Sequence, residues 1–239
     1  QGNEGKLIFY FALPMLIGNI FQQLYNTVDS IIVGNTLGKE ALAAVGASFP
    51  IIFLLVSLIM GIAMGSTILI AQFFGAGKLD EVKKTIDTTY IFIFFSALAA
   101  TIIGFATSGP ILKLLRTPDE VFPMAKTYLD IIFAGIIVMF GFNSISAILR
   151  GLGDSKTPLY FLIISTLVNI GLDLLFIKVF NWGVAGAAWA TVIAQGVSFL
   201  LGAIYLHKTH EFFSFNFNKM AFERQLFITS IKIGLPGGD

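Results

Sequence analysis

The sequence contains no cysteine, which excludes disulfides, thiolate metal sites and cysteine nucleophiles. It is nearly as poor in charge. Only 12% of its 239 residues are Asp, Glu, Lys or Arg, about half the roughly 25% of an average soluble domain. Fifteen basic and 14 acidic side chains leave a net charge of +1, so there is no basic field and no nucleic-acid partner is expected. Phosphate-loop and His-Glu-x-x-His patterns are also missing, and no enzyme is predicted. What the chain does have is apolar surface: 56% of its residues are hydrophobic and the mean hydropathy is +0.86. Disorder needs the opposite composition. A single core of this length cannot hide that much apolar area, so the lipid bilayer is the expected surroundings.

About 20 mostly apolar residues are needed to cross a bilayer as a helix. Six stretches qualify: Leu7–Val33, Ser48–Phe74, Thr88–Ser108, Ala125–Leu149, Leu159–Phe180 and Val184–Leu206. A seventh opens near Leu226 and breaks off with Asp239, which predicts a chain that continues. The expected fold is therefore all-α, a polytopic transmembrane bundle. Its parts are a six-helix lobe over 1–206, a polar linker over 207–225, and the start of a seventh helix over 226–239. Short polar connections are expected at Gly75–Asp87, Gly109–Met124 and Arg150–Lys156. Pro14 lies inside the first span, where it removes a backbone hydrogen bond and predicts a kink. Gly61-Ile-Ala-Met-Gly65 reads as a close helix crossing of the small-xxx-small type.

Basic residues set orientation. With the N-terminus in the cytoplasm, nine Lys and Arg fall on inner segments and five on outer ones, so this orientation is expected. The Leu13-Pro14 pair of the first span returns as Leu235-Pro236 in the seventh. That is where a second copy of a six-helix unit would begin, and such repeats are common in transporters.

Acids at membrane depth are expensive and mark function. Asp29, late in the first span, and Asp173, in the fifth, lie well inside apolar runs with no Lys or Arg of their own span at that depth. Asn19, Gln22, Gln23, Asn26, Asp29 and Ser30 recur at intervals of three and four, which places them within about 120° of arc on one helix face. That polar face needs a watery cavity or another polar helix beside it. Asn169 and Asp173 are four apart on one face, with Ser165 a turn back; Thr191 and Gln195 are four apart on the sixth span. Carboxylate, amide and hydroxyl oxygens are hard ligands suited to Na⁺ or to a shared proton. Two carboxylates brought into one poorly hydrated site would titrate as a coupled unit. The amides of the first span read equally well as helix–helix hydrogen bonds or as the lining of a substrate path. His207 and His210 are too few for a metal site, and Gly151-Leu-Gly153 follows a membrane helix rather than a strand, so neither cofactor nor nucleotide is predicted.

Five segments carry a family resemblance: LPMLIGNIFQQLYNTVDSIIVGNTLGKEALAAVG (13–46), GSTILIAQFFGAGK (65–78), ILRGLGDSKTP (148–158), LVNIGLDLLFI (167–177) and GVAGAAWATVIAQ (183–195). In order and spacing they resemble the N-terminal half of a multidrug and toxin extrusion (MATE) transporter. The resemblance implies twelve helices in two pseudo-symmetric lobes, the second lying beyond Asp239. It also implies a cation site made of Asp29, Asn169, Asp173 and Thr191, which would hold Na⁺ if the protein is sodium-coupled. Tyr25 matches a tyrosine beside that site, which with Asn19, Gln22 and Asn26 would line the substrate path. Pro14 matches the proline at which the first helix bends.

The expected function is then a secondary exporter in a prokaryotic plasma membrane. It would exchange incoming Na⁺ or H⁺ for outgoing small organic, cationic compounds. The rival is a lipid-linked precursor or polysaccharide flippase of the wider superfamily. Holding a pyrophosphate would call for Arg or Lys in its cavity, and the first, second, third, fifth and sixth spans carry none at mid-depth. An uncoupled structural or channel-like subunit is the third reading.

Overall fold

The computed structural model describes residues 4–210 and 220–234, with the side chains of Glu4, Leu7, Leu58 and Ile59 left aside. Its elements are α1 (Glu4–Leu37), α2 (Lys39–Gly75), α3 (Leu79–Leu114), α4 (Phe122–Ala134), α5 (Ile136–Gly151), α6 (Lys156–Asp173), a π-helical turn (Leu174–Val179), α7 (Gly183–Thr209) and α8 (Arg224–Gly234). No strand occurs among the described residues. Five helices are long and apolar enough to cross a membrane by themselves, and α4 with α5 makes a sixth span bent by 54°. The fifth predicted span is α6 with its π turn, and the sixth is α7. Leu235-Pro236 and residues 211–219 of the 207–225 linker lie outside the described residues.

The helices outrun the hydropathy reading. The second begins at Lys39 rather than Ser48, the 75–87 connection shrinks to three residues, and the 109–124 connection to 115–121. Hydropathy detects the lipid-facing length, whereas a helix continues as long as its residues favour it. The polar extensions do: Glu40, Asp80 and Glu81 occupy first turns and Lys113 a last turn, each complementing the helix dipole. Lys84 pairs with Glu81 at 2.9 Å one turn along.

The turns are closed by backbone. Lys78 N–H donates to Phe73 and Gly77 N–H to Phe74; Asp154 N–H donates to Leu149 and Gly153 N–H to Arg150. This two-bond closure needs a left-handed residue, which Gly77 (φ 71°) and Gly153 (φ 88°) supply. Asp154 then caps α6, accepting from the N–H groups of Lys156 at 3.1 Å and Thr157 at 3.0 Å.

Pro14 does not interrupt its helix: α1 runs continuously from Glu4 to Leu37 with Pro14 buried inside it. The broken span is the fourth, which has no proline at its break. There α4 ends at Gly135, where an added Cβ would lie 2.4 Å from both methyls of Val192 on α7. The close approach of α7 requires glycine at this point, and glycine is a common seat of a bend.

The bundle is packed around α5 and α7. Phe133, Ile136 and Phe140 anchor one buried cluster, Ile145, Ile148 and Leu149 a second, and Ile132, Ile177 and Val192 a third. Outward faces carry exposed Phe53, Phe95, Ile102 and Leu200, the surface expected toward lipid. The Gly61–Gly65 stripe of α2 does form a close crossing, against α8. A Cβ on Gly65 would fall 1.9 Å from the Ser230 carbonyl, and one on Gly234 1.9 Å from that of Gly61. Beside it, Ser66 Oγ donates to Ser230 Oγ at 3.4 Å.

Candidate functional site

Asp29, Asn169, Asp173 and Thr191 converge between α1, α6 and α7. All four are buried, Asn169 and Asp173 completely. The 3.6-residue period explains the convergence on α6: Asn169 and Asp173 stand one above the other, aimed at the same neighbours. Asn169 donates Nδ2 to Asp173 Oδ2 at 3.1 Å and accepts from the Thr191 backbone N–H at 3.3 Å. This amide orientation is chosen because it satisfies both neighbours. Thr191 Oγ1 accepts from the Tyr25 hydroxyl at 3.2 Å. The Asp29 and Asp173 carboxyl groups meet side chain to side chain, a contact that needs a proton or a cation between them.

One oxygen of each acid, Asp29 Oδ1 and Asp173 Oδ1, is buried and has no hydrogen-bond partner among the described residues. Buried carboxyl oxygens are costly when unpaired. With Thr191 Oγ1 they form a set of hard oxygen donors, chemistry that fits Na⁺ or a proton. Ser165 Oγ and Gln195 Oε1, one turn from Asn169 and Thr191, are likewise buried without a partner. No group of three or more His, Cys, Asp and Glu placed to hold a metal ion occurs among the described residues.

The remaining stripe of α1 does not form one wall. Asn19 and Gln22 line a cavity with Pro14, at the end of the bundle where α1 begins. Asn26 and Ser30 border an open cleft with Asn35 and Lys39. Tyr25 and Asp29 turn inward. Ten residues of helix separate Asn19 from Asp29, about 15 Å, so Asn19 does not share the acid site.

Three features had escaped the sequence reading. Tyr128 of α4 is buried beside Thr191. Its signal was a phenol at membrane depth, which needs a partner for its hydroxyl. The π turn begins at the residue after Asp173, a widening often found at functional positions. Arg150, counted among the loop charges, is partly buried and lines the Asn19 cavity.

A lobe of membrane-length helices that buries facing carboxyl groups among amide and hydroxyl oxygens has the build of a membrane transport protein. Comparison with known proteins specifies which. The family model MatE matches residues 14–175. The "Probable multidrug resistance protein YpnP" of Bacillus subtilis is 39% identical over all of this chain and 53% of its own length. "Probable multidrug resistance protein YoeA" of the same organism is 36% identical over 95% of this chain and 50% of its own. The solved structure "Crystal structure of MATE in the bent conformation" superposes with a TM-score of 0.90 at 28% identity, covering 98% of this chain and 52% of that one. The chain belongs to the MatE family, whose members are multi-pass membrane transporters and not enzymes. It has the fold of the N-terminal lobe, and it spans about half the length of the curated relatives it matches.

Proposed function

We propose that this chain is the cation-coupling lobe of a secondary multidrug exporter in a plasma membrane, with its N-terminus in the cytoplasm. Na⁺ or H⁺ entering down its gradient would bind between Asp29 and Asp173, with Asn169 and Thr191 as neutral partners. The outgoing substrates would be small organic cations, in a cavity shared with a second lobe. The observation that carries this reading is the pair of facing buried carboxyls, each with an orphaned oxygen. In a membrane interior such a pair is too costly to serve as a mere clamp. The names of the B. subtilis relatives support the drug-export part.

Coupling follows from electrostatics. With a cation or proton bound, α1 and α6 are drawn together through the acids. Once it leaves, two like charges face each other and push α1 away. Pro14, which lacks a backbone hydrogen bond to hold the helix straight, is where α1 yields. Lobes rocking about such a site would alternate access. The test is dye efflux from vesicles holding the full-length protein, with Na⁺ and pH gradients imposed separately. Efflux that follows neither gradient contradicts the reading and favours an uncoupled subunit.

A further inference from the structure

A second cavity lies at the end of the bundle where α1 begins, between α1, α5 and the start of α6, with a volume of about 170 Å³. Drug-sized ligands occupy roughly 300–1,000 Å³, so this space suits one polar group with some water. Its walls combine Pro14 and apolar side chains with Asn19, Gln22, Ser146 and Arg150. None of those four polar side chains makes a hydrogen bond or ion pair with any described residue. The lack of a partner for Arg150 has a structural reason. The acid nearest to it in sequence, Asp154, is consumed by the α6 N-terminus and by the Tyr205 hydroxyl. A partly buried guanidinium without a counter-charge is unfavourable, and its forked donors match a phosphate or a carboxylate.

We propose that this cavity binds an anionic group, a phosphate or a carboxylate, held by the Arg150 guanidinium with Asn19, Gln22 and Ser146 as neutral donors. It is separate from the acid pair, because Gln22, the wall residue of α1 nearest to Asp29, lies seven residues before it, about 10 Å along the helix. The same chemistry has two sources: the headgroup of an anionic phospholipid, or a soluble anion. Ser155 connects the cavity to a surface groove bearing Tyr10 and Lys156, a route open to both. Because the anion would sit against Pro14, its binding would bear on the segment at which α1 yields.

The test uses the full-length protein in phosphatidylcholine nanodiscs. In one arm phosphatidylglycerol is added and its retention is read by native mass spectrometry. In the other, inorganic phosphate and acetate are titrated while the thermal midpoint is followed. The wild type is expected to respond in at least one arm, and the responding arm identifies the source. Arg150→Gln should weaken that response at least tenfold. Ser146→Asp keeps Arg150 and supplies an internal carboxylate to answer its charge, so at a melting point matching the wild type it should lose the response as well. No response by the wild type in either arm, or a wild-type response retained by Ser146→Asp, overturns the proposal.

Discussion

Asp29 of α1 and Asp173 at the end of α6 meet carboxyl to carboxyl inside the bundle, and Asn169 ties the second of them to the α7 backbone. In the proposed site the two acids hold one cation together, so their substitutions should not add. Asp29→Asn and Asp173→Asn in the full-length protein are each expected to abolish drug resistance at normal expression, and the double variant should be no worse. Resistance assays with membrane-level quantification check this. Full resistance in Asp173→Asn would remove that residue from the site.

Thr191 receives the Tyr25 hydroxyl and, through its backbone, supports Asn169. Thr191→Val strands a buried phenol and should cost about 1–3 kcal/mol of stability. Tyr25→Phe removes the donor together with its need for a partner, so its cost should be smaller. Adding Tyr25→Phe to Thr191→Val should recover part of the loss. Thermal melting of the four proteins measures this coupling.

At the bend of the fourth span, Gly135 leaves 2.4 Å for a Cβ before Val192. Gly135→Ala should destabilise by about 1–3 kcal/mol through overpacking. Val192→Ala in the same protein should relieve much of that loss. A melting point that the second substitution does not raise would mean that the bend has another cause.

The α2–α8 crossing can be tested covalently, because this chain contributes no cysteine of its own. Ser66→Cys with Ser230→Cys should form a disulfide on mild oxidation, since the two hydroxyl oxygens stand 3.4 Å apart. Gly65→Val should prevent it, because its side chain would strike the Ser230 carbonyl. Gel mobility before and after reduction reads both results.

Much of this architecture was legible in the sequence because lipid is an undemanding solvent to read. Runs of apolar residues located the spans, and Asp29 and Asp173 stood out as acids within them. Helix ends were less legible, since the polar residues at 39–40 and 79–87 look like loop to a hydropathy argument although they are helical. The stripe on α1 was read as one face, and by angle it is one. A 34-residue helix, however, packs along α6, faces α5 across a cavity at one end and meets α7 at the other, so the same face serves a cavity at Asn19 and the acid pair at Asp29. Tyr128 was hidden for a different reason: nothing in its own segment shows that α4 brings it against Thr191. Gly135 and Arg150 gave no signal either, because a close approach and an unmet charge exist only once helices are packed.

The central claim is that a cation held between Asp29 and Asp173 drives export. Its most direct measurement is cation-driven efflux of a fluorescent organic cation from vesicles containing the full-length protein, comparing wild type with Asp173→Asn. The account predicts that an imposed Na⁺ or pH gradient accelerates wild-type efflux and leaves the variant at the gradient-free rate. Equal acceleration in both proteins would contradict it.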